Sequence, residues 1–447
     1  YPAVVAVVVI YLPPLAYAAY DICKKTALTV RFMKHQMCAG LAILLLSLPI
    51  TFMAARSGKW TVLNDLFPVN VCYNLVLAVE RQSLSEEYLE RSHDFLFNAV
   101  HTDTDTVPKV VMLVIGETSR AANWQLNGYH RETTPLLMQT SNLTVFTDCM
   151  SQSNTTHKSI PILLSPATAD EYGTLYYSKG LMAAFNEAGY HTTFLSNEPR
   201  NKSFNDHLAE QAQEVLFLRD IMDGTPMDSL LLPEIQKALD SNKGNQLIVV
   251  HTYGSHSTYS DRYERNQAHF TPDVALKATR ENRDILMNAY DNTIRYTDRM
   301  LHAIISQLQT QERPVAMLYA SDHGEDIYDD SRNLYLHASP WPSYYQLHVP
   351  FLIWTCDKYR QQYPERVALM ESRTAEPIQT DCIFPTILGL GGVSTPYGQD
   401  SLALTSPNYV TKEKRTYLSD HNEPLTFDRC LEKQDIQAME QRGMRTY

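Results

Sequence analysis

The chain has 447 residues, of which 44% are hydrophobic and 20% are charged. This length suits about two to three domains, and the composition excludes a disordered or fibrous protein. The formal net charge of −12 is unevenly distributed, because residues 1–60 carry +5 and the remaining residues carry −17. A surface this acidic repels a phosphate backbone, so we expect no nucleic acid partner.

Two apolar stretches near the start of the sequence predict membrane-spanning helices. Tyr1–Tyr20 and Gln36–Ala55 each contain twenty residues without a charge, which is enough to cross the bilayer core as a helix. A pair of buried globular helices is the alternative. The basic residues of Asp21–His35 place this connection in the cytoplasm and the chain after residue 55 outside. We therefore interpret residues 1–56 as the last two helices of a longer transmembrane domain.

Residues 57–106 are predicted to connect the membrane to the main domain. Val69–Val79 has a broad apolar face and leads into the charged run Glu80–Arg91. The apolar part is too short for a third span and is typical of a helix that lies on the membrane surface. The polar segment His101–Pro108 is the predicted linker.

Residues 107–447 alternate between short apolar runs and amphipathic stretches. Continuous apolar runs are required of strands that are covered on both faces of a sheet. The alternation predicts an α/β domain with a doubly wound sheet and helices on both faces. The strand candidates are Val110–Ile115, Thr192–Leu195, Leu247–Val250, Val315–Tyr319, Phe351–Trp354 and Tyr417–Leu418, and the helical candidates are Gly180–Ala188, Met227–Leu239 and Lys277–Thr310.

Side chains that bind metals follow three of these strand candidates. Glu117 follows the first candidate, His251 and His256 follow the third, and Asp322 and His323 follow the fourth. Doubly wound sheets bind ligands beyond the carboxyl ends of their strands. Any one of these residues alone is more often a cap or a surface turn, but three strands together favour a metal site. Carboxylates with imidazole suit Zn²⁺ or Mn²⁺ better than Ca²⁺.

A hydroxyl-rich segment, Ser153–Pro161, precedes a helical pattern. Such a segment is usually only a helix N-cap. A threonine hydroxyl that a metal activates at a helix N-terminus would instead be a nucleophile for phosphorus, because the amide dipoles there favour an anion.

These motifs resemble the phosphoethanolamine transferases of the Gram-negative envelope. This family belongs to the alkaline phosphatase/sulfatase superfamily and includes lipid A modifying and mobile colistin resistance enzymes. The resemblance covers the two apolar stretches and nearly all of residues 106–447, and it implies an alkaline phosphatase/sulfatase-like α/β fold. The motifs that carry it are Gly116-Glu117-Thr118-Ser119-Arg120-Ala121-Ala122-Asn123-Trp124, Leu126-Asn127-Gly128-Tyr129, Arg131-Glu132-Thr133-Thr134-Pro135 and Ser321-Asp322-His323-Gly324-Glu325.

The resemblance implies a zinc site and a nucleophile. Glu117, Asp322 and His323 match the zinc ligands, and Thr156 matches the nucleophile, which is also a ligand. Thr156 is preferred to Thr155 because the family pattern of Thr, two residues, Ser, an aliphatic residue and Pro fits residues 156–161.

Two further histidines match positions that engage the transferred phosphate or a second, weaker zinc. These are His256 and His337, for which ordinary core or surface histidines are the alternative. The nearby His251, His157 and Lys158 receive no role.

The implied reaction moves phosphoethanolamine from phosphatidylethanolamine to Thr156 and then to an envelope glycan. The acceptor remains open among lipid A, the lipopolysaccharide core and an osmoregulated periplasmic glucan. We expect a monomer in the bacterial inner membrane, with its catalytic domain in the periplasm. Tethering to the bilayer raises the effective concentration of a lipid donor.

Three other functions are alternatives, and the sequence argues against two of them. A phosphoglycerol transferase or a phosphodiesterase of the same superfamily would use the same metal and threonine. A sulfatase would need a Cys or Ser before a Pro-x-Arg pattern, and residues 156–160 lack this pattern. A non-catalytic scaffold would be expected to lose at least one of the four zinc-site residues, and none is missing.

The cysteines depart from the family pattern. Family members often bridge a cysteine near Cys149 to one just after the proline of the nucleophile loop, where this chain has Ile162. The outer domain otherwise contains only Cys356, Cys382 and Cys430, so any bridges must differ. An oxidising compartment would allow Cys382–Cys430.

Overall fold

The structure is a computed structural model that describes residues 69–104 and 106–446. The two predicted membrane helices in residues 1–56 lie outside the described residues. Among the residues that are described, no helix combines the length and the apolar character needed to cross a membrane. The chain divides into two compact units, residues 1–75 and 76–447. Of the first unit, residues 69–75 are described, and they form the start of a helix.

Helices and strands alternate through most of the described chain. The helices are α1 (Val69–Glu86), α2 (Tyr88–Arg91), α3 (Thr156–Leu164), α4 (Leu181–Glu187), α5 (Phe204–Ala209), α6 (Leu218–Ile221), α7 (Leu231–Ser241), α8 (Arg283–Gln309), α9 (Tyr344–Leu347), α10 (Asp357–Gln362), α11 (Pro364–Glu371), α12 (Ile383–Gly391), α13 (Phe427–Cys430) and α14 (Lys433–Gln441). The strands are β1 (Val100–His101), β2 (Val110–Gly116), β3 (Leu143–Phe146), β4 (Cys149–Met150), β5 (His191–Ser196), β6 (Glu214–Phe217), β7 (Gln246–His251), β8 (Val315–Ser321), β9 (Asp326–Ile327), β10 (Tyr335–Leu336), β11 (Phe351–Thr355), β12 (Ile378–Gln379), β13 (Val393–Ser394), β14 (Thr416–Leu418) and β15 (Pro424–Thr426).

A seven-stranded sheet in the order β3-β11-β8-β2-β7-β5-β6 forms the centre of the described domain. Strands β8, β2, β7, β5 and β6 run parallel, whereas β11 is antiparallel to both of its neighbours. The predicted α/β sheet is therefore present, and it is mixed. Two of its strands, β3 and β6, were not predicted, because their partly exposed residues do not form the continuous apolar run of a central strand.

The sixth strand candidate, Tyr417–Leu418, is a strand, but it lies outside the central sheet. It belongs to β14, which pairs with β15 in a two-stranded antiparallel ribbon. Tyr417 packs in a separate apolar cluster with Phe427 and Met439, whereas Leu418 packs in the cluster that covers one face of the central sheet. A short apolar run can thus be buried without belonging to the central sheet.

Each face of the sheet packs against its own helices. On one face, Val111, Leu113 and Ile115 pack in a cluster with residues of α3, α4 and α12. On the other face, Val110 and Met112 pack in a cluster with residues of α7 and α8. Successive strand residues point to opposite faces, so a fully apolar β2 requires helices on both sides. This confirms the predicted layering.

Ion pairs hold the segment before β2 at the amino edge of the sheet. Asp103 pairs with the fully buried Lys109 and with Arg366, whose Nη1 lies 2.9 Å from Asp103 Oδ2. Residues Val100–His101 form β1 and pair with β13, so the start of the predicted linker belongs to the folded domain.

The predicted interfacial segment is helical, because Val69–Val79 forms the first part of α1. Val76 and Val79 in this helix are exposed. The described cysteines Cys72, Cys149, Cys356 and Cys382 are free thiols, so the Cys382–Cys430 bridge is not formed.

Candidate active site

Adjacent parallel strands bring Glu117 and Asp322 together at the carboxyl edge of the sheet. β2 and β8 are in register, with Gly116 opposite Ser321, so the next residue of each strand lies beside the other. Both carboxylates are almost completely buried. The backbone N–H of Thr118 donates to Asp322 Oδ1 at 3.2 Å, which ties the two strand ends together.

The first residue of helix α3 places a hydroxyl against this edge. α3 begins at Thr156, and the preceding Thr155 has an extended backbone. Thr156 Oγ1 lies 3.1 Å from Glu117 Oε2 and 3.2 Å from His323 Nε2. Since a helix N-terminus carries partial positive charge, an anion that forms on this oxygen would be stabilised.

His323 directs an unprotonated ring nitrogen toward the Thr156 hydroxyl and the two carboxylates. Its Nδ1 donates to the Gly324 carbonyl at 2.9 Å, which leaves Nε2 as the acceptor. That Nε2 lies 3.3 Å from Asp322 Oδ2 and 3.6 Å from Glu117 Oε1. A backbone carbonyl that fixes the ring in this way is typical of histidines that bind metals.

Neighbouring hydroxyls hold the carboxylates in place. Ser159 Oγ, one turn into α3, lies 3.2 Å from Asp322 Oδ2, and Thr118 Oγ1 donates to Glu117 Oε1 at 2.5 Å. Such supporting hydrogen bonds orient ligand oxygens before a cation binds.

The site concentrates negative charge that lacks a basic partner. Burial and the adjacent Asp322 raise the pKa of Glu117, and burial raises the pKa of Asp322 to about 6. Burial also lowers the pKa of His323 to about 3. In the part of the chain that the structure describes, the only basic side chain within 4.0 Å of either carboxylate is His323, which is neutral. A divalent cation would compensate this charge.

The predicted residues therefore form one group that could hold a metal. Ligand atoms of Glu117, Asp322 and His323 all lie within 4.8 Å of one another. With the Thr156 hydroxyl, they offer three oxygens and one nitrogen. This set of four donors fits zinc, which accepts carboxylate and imidazole ligands in tetrahedral sites.

The two additional histidines lie beside this group. The rings of His337 and His323 are 4.4 Å apart, and the rings of His337 and His256 are 6.2 Å apart. Burial opposes a charge on His337, but the Glu325 carboxylate, 3.5 Å from its Nδ1, raises its pKa. Burial lowers the pKa of His256, which stacks on Tyr253. The structure thus brings together all six residues that the sequence singles out.

Sequence reasoning missed Glu198, and it assigned no role to His251. Glu198 follows β5, and His251 ends β7, so both lie at the same edge of the sheet as Glu117. With Glu117 they form a second group whose ligand atoms lie within 4.8 Å of one another. Burial and Glu117 raise the pKa of Glu198 well above its usual value. A search for carboxylates within a few residues of a strand end, a looser form of the pattern that identified Glu117, would have found Glu198.

Comparisons with known proteins agree with this geometry. Residues 109–393 match the family model described as Sulfatase. Phosphoethanolamine transferase EptA of Escherichia coli K12 is 31% identical over 301 residues, which are 65% of this chain and 54% of that protein. Kdo(2)-lipid A phosphoethanolamine 7''-transferase of the same strain is 26% identical over 72% of this chain and 57% of that protein.

A solved membrane enzyme extends the similarity. The integral membrane protein lipooligosaccharide phosphoethanolamine transferase A of Neisseria meningitidis superposes with a TM-score of 0.72 and 26% identity, over 90% of this chain and 78% of that protein. The chain spans about half the length of the curated relatives it matches. The predicted resemblance is confirmed: the chain belongs to the sulfatase family and is similar to its phosphoethanolamine transferases.

Proposed function

We propose that this protein transfers phosphoethanolamine from phosphatidylethanolamine to a lipid A or lipooligosaccharide acceptor through a covalent intermediate on Thr156. The observation that carries the proposal is the position of the Thr156 hydroxyl, at a helix N-terminus and within 3.3 Å of Glu117 and His323. A hydroxyl in this setting is suited to attack phosphorus, because the surrounding groups stabilise its anion.

Zinc is the metal that the donor set favours. Glu117, Asp322, His323 and Thr156 would hold it, and when bound it would lower the pKa of a coordinated hydroxyl and neutralise phosphate charge. The chain's own residues orient the carboxylate ligands and the phosphate. Ser159 and Thr118 fix the carboxylates, and the start of α3 directs backbone N–H groups toward the phosphate.

Two half-reactions account for substrates that differ greatly in size. In the first, Thr156 attacks the phosphorus of the donor, the ester bond to diacylglycerol breaks, and diacylglycerol leaves with a proton. In the second, an acceptor oxygen attacks the same phosphorus and releases Thr156. His256 and His337, whose rings lie beside the group, would bind phosphate oxygens or move these protons, which their ring separations from each other and from His323 support.

The acceptor proposal follows the names of the relatives. One relative is named for lipid A and the solved membrane enzyme for lipooligosaccharide, which supports a glycolipid acceptor over a periplasmic glucan. We propose a location in the bacterial inner membrane with the catalytic domain in the periplasm, because the similarity to that membrane enzyme covers 90% of the chain. The predicted helices of residues 1–56 would anchor it beside its lipid donor.

The test is to trap the intermediate. Incubation of the purified full chain with phosphatidylethanolamine and no acceptor should add one phosphoethanolamine to the peptide that contains Thr156, as detected by mass spectrometry. Thr156→Ala should show no adduct and should still bind zinc through three ligands. Thr155→Ala is the matched control, since the Thr155 side chain makes no cap hydrogen bond, and it should keep the adduct.

Three results would contradict the proposal. An adduct on Thr155 would move the nucleophile by one residue. Transfer in the wild type without any adduct would mean that the acceptor attacks the donor directly. An adduct from phosphatidylglycerol, with none from phosphatidylethanolamine, would favour the phosphoglycerol transferase alternative.

A further inference from the structure

A small cavity opens beside the hydroxyl of Thr156. Its volume is about 30 Å³, which is room for roughly two to three water-sized groups. Thr156, Phe194, Glu198, Phe217 and His251 are among the residues that line it. The two phenylalanines make part of its wall apolar, while Glu198 and His251 supply polar atoms. The cavity is thus built for a small ligand with both apolar and polar parts.

Two polar side-chain atoms in this cavity lack a partner among the described residues. Glu198 Oε1 and His251 Nε2 are both inaccessible to solvent and make no hydrogen bond within residues 69–104 and 106–446. His251 is only 3% exposed. An unsatisfied buried polar atom is costly, and native proteins keep few of them, so two in one cavity point to a ligand that donates hydrogen bonds.

The chemistry of that ligand follows from the chemistry of the two atoms. A carboxylate oxygen and an imidazole nitrogen can both accept from one cation that carries several N–H groups. A primary ammonium has three such donors, and its charge would compensate a buried carboxylate. A hydroxyl-bearing headgroup such as glycerol would leave the Glu198 charge uncompensated.

The upper limits on these distances are compatible with the length of an ethanolamine chain. The ligand atoms of Glu198 and His251 lie within 4.8 Å of a Glu117 oxygen, and both Glu117 oxygens lie within 3.3 Å of Thr156 Oγ1. In a phosphoethanolamine, four bonds of roughly 1.5 Å each place the ammonium about 4–5 Å from phosphorus. A phosphoryl group on Thr156 can therefore extend its ammonium into the cavity.

We propose that Glu198 and His251 form the subsite that binds the primary ammonium of the donor headgroup and selects ethanolamine over uncharged headgroups. This inference rests on the proposed function and names the residues that give it donor specificity. Phe194 and Phe217 enclose the two methylene groups and exclude water, which strengthens the contact between ammonium and carboxylate.

The test compares two soluble donors that differ only in the amine. These are p-nitrophenyl phosphoethanolamine and p-nitrophenyl ethyl phosphate, and release of nitrophenol gives kcat/KM for each. The wild type should prefer the amine donor by about 10–100-fold, the range expected for a buried charge-assisted hydrogen bond. Glu198→Gln should reduce this ratio to nearly one. Glu214→Gln, at an exposed carboxylate on the edge strand β6, should keep the wild-type ratio.

Zinc content and a second variant complete the design. His251→Asn should also reduce the ratio, and it replaces Glu198→Gln if that variant does not fold. Both variants should bind as much zinc as the wild type. Equal use of the two donors by the wild type would overturn the proposed subsite but not the proposed function. The loss of one zinc per chain in Glu198→Gln would also overturn the subsite, because Glu198 would then be a metal ligand. No turnover of either donor would contradict the proposed function itself.

Discussion

The buried carboxylates at the two ends of the central strands differ in whether they have charged basic partners. At the amino edge, Asp103 is closed into a network with Lys109 and Arg366. At the carboxyl edge, Glu117 and Asp322 are at least as deeply buried, yet within the described residues they pair only with the neutral His323. The first arrangement is complete in the protein alone, whereas a bound cation would complete the second.

Because of this difference, we expect the carboxylate at the amino edge to contribute to stability and the carboxylates at the carboxyl edge to contribute to function. A buried carboxylate that already has a basic partner contributes to stability, and its removal leaves the partner's charge uncompensated. A buried carboxylate without such a partner lowers the stability of the metal-free protein and becomes favourable only when a cation binds. The same substitution, carboxylate to amide, should therefore have opposite effects on stability at the two edges.

The largest effect is expected for Glu117→Gln. Loss of this ligand charge should reduce transfer activity by at least about 10³-fold, the scale for removing an electrostatic stabiliser from a catalytic site. It should also weaken zinc binding, which can be measured by competition with a chelator. In the metal-free protein, however, the free energy of unfolding should rise by about 1 kcal/mol or more, because a buried charge has been removed.

Asp322→Asn provides the parallel test of that result, because Asp322 belongs to the same ligand group. It should also lose zinc and gain stability in the metal-free state. Lower stability of both variants without metal would show that these carboxylates support the fold, and the contrast between the two edges would fail.

The next largest effect is expected for Asp103→Asn. Breaking the network should lower the free energy of unfolding by about 3 kcal/mol, the low end for buried ion pairs, because Arg366 is partly exposed. The folded fraction should keep its zinc and its activity. Urea denaturation followed by circular dichroism measures the change, and unaltered stability would show that the network contributes nothing.

The same variant should alter the pH dependence of stability. Burial opposes ionisation of Asp103, but hydrogen bonds from Arg366 and Lys109 lower the pKa of its carboxyl. Since this pKa is below that of the unfolded chain, near 3.9, the stabilisation is complete above that pH and is lost as the pH falls through the folded value. Asp103→Asn should therefore lose less stability than the wild type below about pH 4.

The two edges also differ in how far the sequence predicts them. Glu117, Asp322 and His323 follow apolar runs directly, so local pattern and fold class together place them at one edge. Asp103 and Arg366 are 263 residues apart, and only the tertiary fold brings them together. Edge strands such as β3, which are partly exposed, lacked the apolar run by which the central strands were predicted.

A smaller effect is expected for Gly254→Ala. Gly254 has a φ of +47°, and a Cβ there would lie 2.7 Å from the Glu117 carbonyl oxygen, so the strand end that carries this ligand must move. Zinc affinity should fall by about 10–100-fold, as for other disturbed ligand supports. Gly224→Ala is the control, because its φ of +78° gives comparable strain with nothing within 4 Å. Equal zinc affinities in the two variants would contradict a supporting role for Gly254.

The smallest effect is expected for Thr156→Ser, which keeps the hydroxyl and removes only the methyl group. The branched Thr side chain has restricted rotation about χ1, so serine must first adopt the reactive rotamer. Selecting one rotamer costs no more than about 1.4 kcal/mol, so kcat should fall by less than about tenfold while zinc content is unchanged. Thr155→Ser should have no effect on kcat. If Thr156→Ser were as inactive as Thr156→Ala, the methyl group rather than the oxygen would be essential, and the Thr156 hydroxyl would lose its place as the nucleophile.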